Sequence, residues 1–266
     1  MMRTSVKLMI SMILMSLLAG CANAPAATED HLSRIRSAGK IVVATEGAWS
    51  PFTYHDETTN ELVGFDVEVA QNIAQRLGVE AEFAEGDFDG GLTGVSQGTF
   101  DMMANGVDVT RDRQETFDFT EPYAYDRAVV VTAAGNADIG SFEDLAGKTT
   151  ANSVGSTYAE MGEKYGATVL NVPTLGETME LVINGTADAT INADTSVRDY
   201  LKTTGNTDLV VAATDTEVTQ YAIPLKKGSD NDTLRAAIND AISQMKEDGT
   251  LSAISEKYFG SDITKE

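Results

Sequence analysis

The segment KIVVATEGAWSPFTYHDETTNELVGFDVEVAQNIAQRLGVEAEFAE, residues 40–85, decides the fold. It opens on a short β-branched run, KIVVATE, which suits a strand buried in a parallel sheet. Farther on, Val67, Ala70, Ile73, Ala74 and Leu77 recur at helical spacing, and Gly78 stands where a helix stops. VEAEFAE then alternates, with Val79, Ala81 and Phe83 on one side, and reads as a second strand. GGLTGVSQGT follows as a short helix and FDMMANG as a buried strand. The order βαβαβ predicts a parallel sheet covered by helices.

The pattern restarts downstream. AVVVTA (128–133), KTTANS, TVLNV, ADATIN and DLVVAA read as strands, and TYAEMGEKYG, TLGETMELVING and TSVRDYLK as helices. Ser141 with Asp144, and Thr174 with Glu177, have the spacing of capping boxes. QYAIPLKKG is a strand interrupted by Pro224, which predicts an edge position. NDTLRAAINDAISQMKEDG is the strongest helical pattern, and Thr250 opens a last helix bearing Leu251, Ile254 and Tyr258. Two α/β lobes are expected, related by architecture and not by sequence repeat.

The ends and the composition narrow the function. Arg3 and Lys7 precede an apolar run, LMISMILMSLLAG, too short for a membrane span and flanked like a secretory signal. It closes on LAGC (18–21), which resembles a bacterial lipobox, so Cys21 is expected to be lipidated after removal of residues 1–20. Residues 21–30, small and polar with one proline, read as a flexible tether. A single cysteine excludes an internal disulfide. The formal net charge is −22, and loss of Arg3 and Lys7 with the signal makes it −24. So acidic a surface disfavours nucleic acid and anionic lipid as partners.

Catalytic and metal motifs fit poorly. GVSQG (94–98) matches the hydrolase elbow, but the elbow needs a strand before its serine and a helix after it, and here the order is reversed. His31 and His55 are the only histidines, and both precede that serine. Two distant histidines and one cysteine cannot build a zinc centre, DFDGG lacks EF-hand spacing, and no phosphate loop is present. No metal and no cofactor are expected. The aromatics after the first strand, Trp49, Phe52 and Tyr54, are joined by Phe88. Trp49 and Phe88 fall just past parallel strands, where open α/β sheets place ligands.

VVATEGAWSPFTY, LVGFDVEVAQNIAQRLGV, FDMMANGVDVTRDRQETFDFTEPY, SFEDLAGK, VGSTY, GTADATIN and MKEDGTLSAISEKYFG together resemble the bacterial family 3 solute-binding proteins, the polar amino-acid receptors of ABC importers. The likeness spans residues 40–260. It implies a two-lobed periplasmic binding protein fold of type II, each lobe a mixed, mostly parallel sheet flanked by helices, joined by two hinge crossovers. Lobe one would comprise residues 30–125 and 216–266, and lobe two residues 126–215. A monomer is expected, held at the membrane only by its lipid, with a free amino acid as ligand and an ABC permease as partner.

The resemblance also assigns residues. Arg113 of TRDR stands where the family carries its carboxylate-binding arginine, and a guanidinium fork suits a carboxylate better than lysine does. Asn105, Gly106 and Asp108 line the same turn, and Asp108 departs from the small residues usual there. Glu46 aligns with an acid that meets the far end of the ligand. Trp49, Phe52 and Phe88 would form walls. In lobe two, Thr157 would meet the carboxylate through its backbone N–H, flanked by Ser153, Ser156 and Tyr158. The family's ammonium partner falls by count on Ala193, so either Asp194 or Asp108 takes that role. One cation against Glu46, Asp108 and Asp194 disfavours acidic ligands and favours neutral, cationic or doubly zwitterionic amino acids such as cystine. The rival readings are a periplasmic dehydratase on the same fold, with Glu46 or Asp108 as base, and a ligand-sensing lipoprotein without transport.

Overall fold

The computed structural model describes residues 30–266, so the signal, Cys21 and almost all of the tether lie outside the described residues. Helix α1 (His31–Ala38) leads into β1 (Lys40–Thr45). The sequence reading did not anticipate α1, whose only buried side chains are Leu32 and Ile35. Its start is set by Asp30, whose carboxylate accepts the Ser33 N–H at 2.9 Å. A small antiparallel sheet of β2 (Ala48–Trp49), β3 (Thr53–His55) and β4 (Leu62–Val63) precedes α2 (Phe65–Leu77) and β5 (Glu80–Glu85). Then come α3 (Phe88–Gln97), β6 (Met102–Met103), α4 (Arg111–Thr116), β7 (Phe117–Phe119) and β8 (Ala124–Asp126).

The first sheet has the order β5-β1-β6 and is parallel throughout, as the βαβαβ pattern requires. Helix α2 is long because its apolar residues recur every turn, and it buries Val69, Ile73 and Leu77 beneath that sheet. It ends at Gly78, whose φ of 80° is left-handed and easy only for glycine.

The chain then crosses into a second sheet. Its elements are β9 (Ala128–Ala133), β10 (Thr149–Asn152), α5 (Thr157–Lys164), β11 (Thr168–Asn171), α6 (Leu175–Ile183), β12 (Ala189–Ala193), α7 (Asp194–Thr204) and β13 (Leu209–Thr214). The order is β11-β10-β12-β9-β13, with β11, β10 and β12 parallel and β9 antiparallel to both β12 and β13. This sheet is mixed, as expected. The Thr174–Glu177 capping box forms in full at the start of α6.

The return passage makes β14 (Thr219–Tyr221), paired with β8, and β15 (Pro224–Lys226), paired with β7. Pro224 therefore sits in a two-stranded ribbon with no strand beyond it, which satisfies its missing N–H. Helices α8 (Asp232–Glu247) and α9 (Thr250–Phe259) close over the first sheet and pack on α2. The result is two α/β lobes, linked where the chain crosses at residues 126–128 and again at 214–219. Among the described residues no helix is long and apolar enough to cross a membrane.

Candidate ligand-binding site

The C-terminal ends of β1 and β6 in the first lobe face the first turn of α5 and the end of β12 in the second. Between them lies a narrow cavity of about 40 Å³. Its first-lobe wall carries Glu46, Trp49, Phe88, Asn105, Gly106 and Asp108. Its second-lobe wall carries Ser153, Ser156, Thr157, Tyr158 and Asn192. Ala48, Pro173 and Leu175 complete the lining.

Each wall follows from local chemistry. Trp49 stacks on Phe52, with ring centroids 4.2 Å apart and planes 10° off parallel. Phe52 is fully buried behind Trp49 and supports the wall from outside the cavity. Gly106 carries a φ of 51°, and its missing Cβ would lie 2.5 Å from a Trp49 ring carbon. The Gly106 N–H is held by buried Asp66 at 2.6 Å, and the other oxygen of Asp66 accepts the Tyr123 hydroxyl at 2.7 Å. Asn105 and Glu46 clasp each other: Asn105 Nδ2 donates to Glu46 Oε2 at 2.5 Å, and the Glu46 N–H donates to Asn105 Oδ1 at 2.8 Å.

Arg113 is 8% exposed. Its guanidinium lies over the Phe88 ring, 5.2 Å from the centroid, and does not itself form the lining. Nη1 donates to the Asp108 carbonyl at 3.3 Å, and Nη2 reaches across the cleft to the Gly155 carbonyl at 2.9 Å. The Asp108 carboxylate accepts the Thr157 hydroxyl from the opposite lobe. Ser156 is used for capping: it accepts the Ala159 N–H and donates to the Ser153 carbonyl at 2.7 Å. Helix α5 thus points its positive end at the cavity. Tyr158 shares a hydrogen bond of 3.1 Å with Tyr221.

Besides Arg113, which lies behind Phe88 and outside the lining, two expected site residues stand apart from this cavity. Phe52 is one, as above. Asp194 is the other: the strand ends at Ala193, so Asp194 begins α7 and its carboxylate turns away to Arg198 Nε at 2.7 Å. It borders a separate groove of about 570 Å³ beside both crossovers. Asn192, two residues earlier on the strand, fills the cavity position instead and accepts Trp49 Nε1 at 3.1 Å. The sequence reading missed Asn192, although a polar side chain ending a buried strand of an α/β sheet marks a ligand edge. It also missed Asp66, an acid buried at the first turn of α2.

The lobes are drawn together. Hydrogen bonds cross the cleft from Thr157 to Asp108, Arg113 to Gly155, Trp49 to Asn192, and Ser50 to Asp199 at 2.8 Å.

Burial sets the charge states. Desolvation raises the Glu46 carboxyl to about 7, against a weaker opposing effect of Asn105. Desolvation raises Asp66 to about 7 and Asp126 to about 6, and it also raises Asp108, which Arg113 partly offsets. An acid whose folded pKa lies above its unfolded value stabilises the fold below the unfolded pKa and loses that stability as pH rises through the folded one. Glu46, Asp66 and Asp126 therefore act between about pH 4 and pH 7. Asp30, Asp56, Asp144, Asp230 and Asp248 are lowered by hydrogen bonds and act only below that window. Thermal melting across a pH series should show a midpoint that falls from about pH 5 to pH 8. A midpoint that climbs over this range contradicts the assignment of these buried acids.

The bacterial extracellular solute-binding proteins, family 3, match residues 41–261. The L-cystine-binding protein TcyA of Bacillus subtilis is 40% identical over 236 residues, covering 89% of this chain and 87% of that protein. The crystal structure of AbpA, an amino acid ABC transporter substrate-binding protein of Streptococcus pneumoniae bound to L-arginine, superposes with a TM-score of 0.78 at 30% identity, covering 87% of this chain and 99% of that one. The L-cystine solute receptor of Neisseria gonorrhoeae in its unliganded open conformation is more alike in sequence, at 38%, yet superposes less well, with a TM-score of 0.58, covering 88% and 98%. The lobe arrangement here is thus nearer to the arginine-bound structure, in keeping with the hydrogen bonds across the cleft. On the family match and these identities, the chain belongs to the bacterial extracellular solute-binding proteins of family 3.

Proposed function

We propose that the protein captures a free polar amino acid between its lobes and delivers it to an ABC permease. The observation that carries this is the cavity itself. Aromatic walls from Trp49, Phe88 and Tyr158 enclose it, hydroxyls and a helix N-terminus face it from one lobe, and the Arg113 turn faces it from the other. That combination suits a small zwitterion. The names of the relatives, a cystine-binding protein and an arginine-bound receptor, support the same class.

Arg113 would take the carboxylate, releasing the Gly155 carbonyl as it does so. The Thr157 turn would meet the ligand from lobe two, and Glu46, Asn105 and Asn192 would read its far end. Lobe one would comprise residues 30–125 and 216–266, lobe two residues 126–215, and the two crossovers the hinge. Acylation of Cys21 would tether the protein, a monomer, outside the cell membrane. The two acids in the lining, Glu46 and Asp108, favour neutral or cationic side chains and disfavour acidic ones. No second reading is favoured by a specific observation.

A cation beside Glu46 stabilises its charged form, so binding below about pH 7 expels a proton. Calorimetry with L-arginine, L-cystine and L-glutamate in buffers of different ionisation enthalpy checks both points. L-arginine or L-cystine should bind more tightly than L-glutamate by on the order of 100-fold, and a cationic ligand should gain affinity as pH rises from about 5.5 to 7.5. Preference for L-glutamate, or proton uptake on binding a cation, sinks the reading.

A further inference from the structure

The strands of the first sheet end at the ligand cavity and begin on the far side of lobe one, where the chain enters the fold. Helix α3 joins the two faces. Phe88 at its start lines the cavity, and Gln97 at its end lies about 15 Å away along the helix axis. At that far end Gln97, Gly98, α1 and the segment from β15 to α8 enclose a separate pocket of about 420 Å³.

The charge of this pocket runs against the rest of the molecule. The chain has 41 acidic residues against 19 basic ones, yet His31, Arg34, Lys226 and Lys227 line the pocket, with Asp230 as the one acid among the described lining residues. Two of the basic groups are already answered: His31 Nε2 is bonded to Asp101 at 2.7 Å, and Arg34 Nη2 donates to Asp230 at 2.6 Å. The lysines are not. Lys226 Nζ donates to the Gln97 carbonyl at 3.1 Å, and Lys227 Nζ to the carbonyls of Gln114 and, at 3.2 Å, Glu115. A carbonyl satisfies a donor but carries no net charge, and neither lysine meets a carboxylate among the described residues. Each ammonium has three donors, so donors remain as well as charge. The pair is also held in place. Gly98 has a φ of 82°, and a Cβ there would lie 3.3 Å from Lys226 Cδ and Nζ, so glycine lets that side chain lie across the helix end. Buried Asn231 donates to the Lys226 carbonyl at 2.6 Å, and Asp118 accepts the Gly228 N–H at 2.9 Å.

We propose that this pocket binds a phosphate group through Lys226 and Lys227. A planar carboxylate is matched best by an arginine fork, and Arg34 is committed to Asp230; two convergent point charges suit a tetrahedral oxyanion. The site stands apart from the amino-acid reading. The tether indicates the nearest source. His31 follows residue 30 directly, and residues 22–30 reach at most about 30 Å. On the acylation of Cys21 proposed above, the phosphates of lipid headgroups lie within that reach, and phosphate in solution is the other source. The net charge of the chain repels an anionic surface as a whole, and at this pocket the sign reverses, so that this end of lobe one would rest on the membrane.

The test has two arms. In the first, calorimetry at low ionic strength titrates inorganic phosphate into the protein, the double variant Lys226→Gln/Lys227→Gln, and Lys246→Gln, which removes a lysine bonded to the Pro122 carbonyl elsewhere on lobe one. Phosphate affinity should fall on the order of 10-fold or more in the double variant and stay with the parent in Lys246→Gln. Melting curves and undiminished L-arginine binding establish that the variants are folded. In the second arm the acylated protein is anchored in vesicles of phosphatidylcholine, with or without phosphatidylglycerol, and acetylation of each lysine is read by mass spectrometry. Protection of Lys226 and Lys227 relative to Lys246 on the phosphatidylglycerol vesicles, lifted by salt, assigns the site to lipid. Phosphate binding without that protection assigns it to phosphate in solution. Phosphate affinity unchanged in the double variant, or lost equally in Lys246→Gln, overturns the proposal, as does the absence of both phosphate binding and protection. Failure of L-arginine and L-cystine to bind would overturn the amino-acid reading and leave this one standing.

Discussion

Arg113→Met should lower affinity for the bound amino acid by about 3 kcal/mol, on the order of 100-fold, with a smaller loss of stability. A methionine fills much of the same volume and can still lie against Phe88, so the change isolates the guanidinium. Two effects add. The ligand carboxylate loses a charge-assisted, two-pronged partner. Asp108 also loses the cation that offsets its burial, so its carboxyl rises further and the turn becomes less able to hold a zwitterion. Arg113→Lys should recover little, because one ammonium cannot span the positions now filled by the Asp108 and Gly155 carbonyls. Calorimetry on both variants decides this, and dissociation constants within about twofold of the parent would remove Arg113 from the site.

Gly106→Ala should be the more damaging change to the fold. The new Cβ would sit 2.5 and 2.6 Å from two ring carbons of Trp49. The ring has no easy retreat. It is stacked on Phe52, which is fully buried, and its Nε1 is tied to Asn192 of the other lobe. The backbone adds its own cost, since a φ of 51° is left-handed and disfavours any side chain. Steric overlap and backbone strain together come to about 2–4 kcal/mol of stability. Either the Trp49–Asn192 bond breaks and the lobes part, or the Gly106 N–H leaves Asp66. The chain has a single tryptophan, so its fluorescence reports the wall directly. A variant with the parent's melting point and an unshifted emission maximum would show that the turn relaxes without moving the ring.

Much of this was legible in the sequence, for identifiable reasons. Runs such as residues 65–77 and 232–247 carry several turns of one apolar face, and both form helices where the spacing puts them. The parallel order of the first sheet follows from helices lying between its strands. Helix α1 escaped because two buried side chains make too short a stripe to stand out beside a small-residue tether. Strands β7 and β8 escaped because three residues cannot display alternation, and they exist only by pairing with β15 and β14 far along the chain. Within the site, the cleft-facing turn was readable because its residues are contiguous. Asp194 was not, because residues 192 and 194 share a face only while the strand lasts. The helix that begins at Asp194 turns its carboxylate toward Arg198, and nothing in the local pattern marks that boundary to the residue. Phe52 and Trp49 differ likewise in a way only packing decides: one backs the wall and the other faces the cavity.

The centre of this account is a guanidinium that gives up two backbone carbonyls in order to hold an amino-acid head between the lobes. A crystal structure of the protein with L-arginine or L-cystine tests it most directly. The expected result is an α-carboxylate oxygen about 3 Å from the Arg113 guanidinium nitrogens, with the ligand enclosed by Trp49, Phe88 and the Thr157 turn. A ligand seated in the groove beside the crossovers, with Arg113 still bonded to the Asp108 and Gly155 carbonyls, would contradict it.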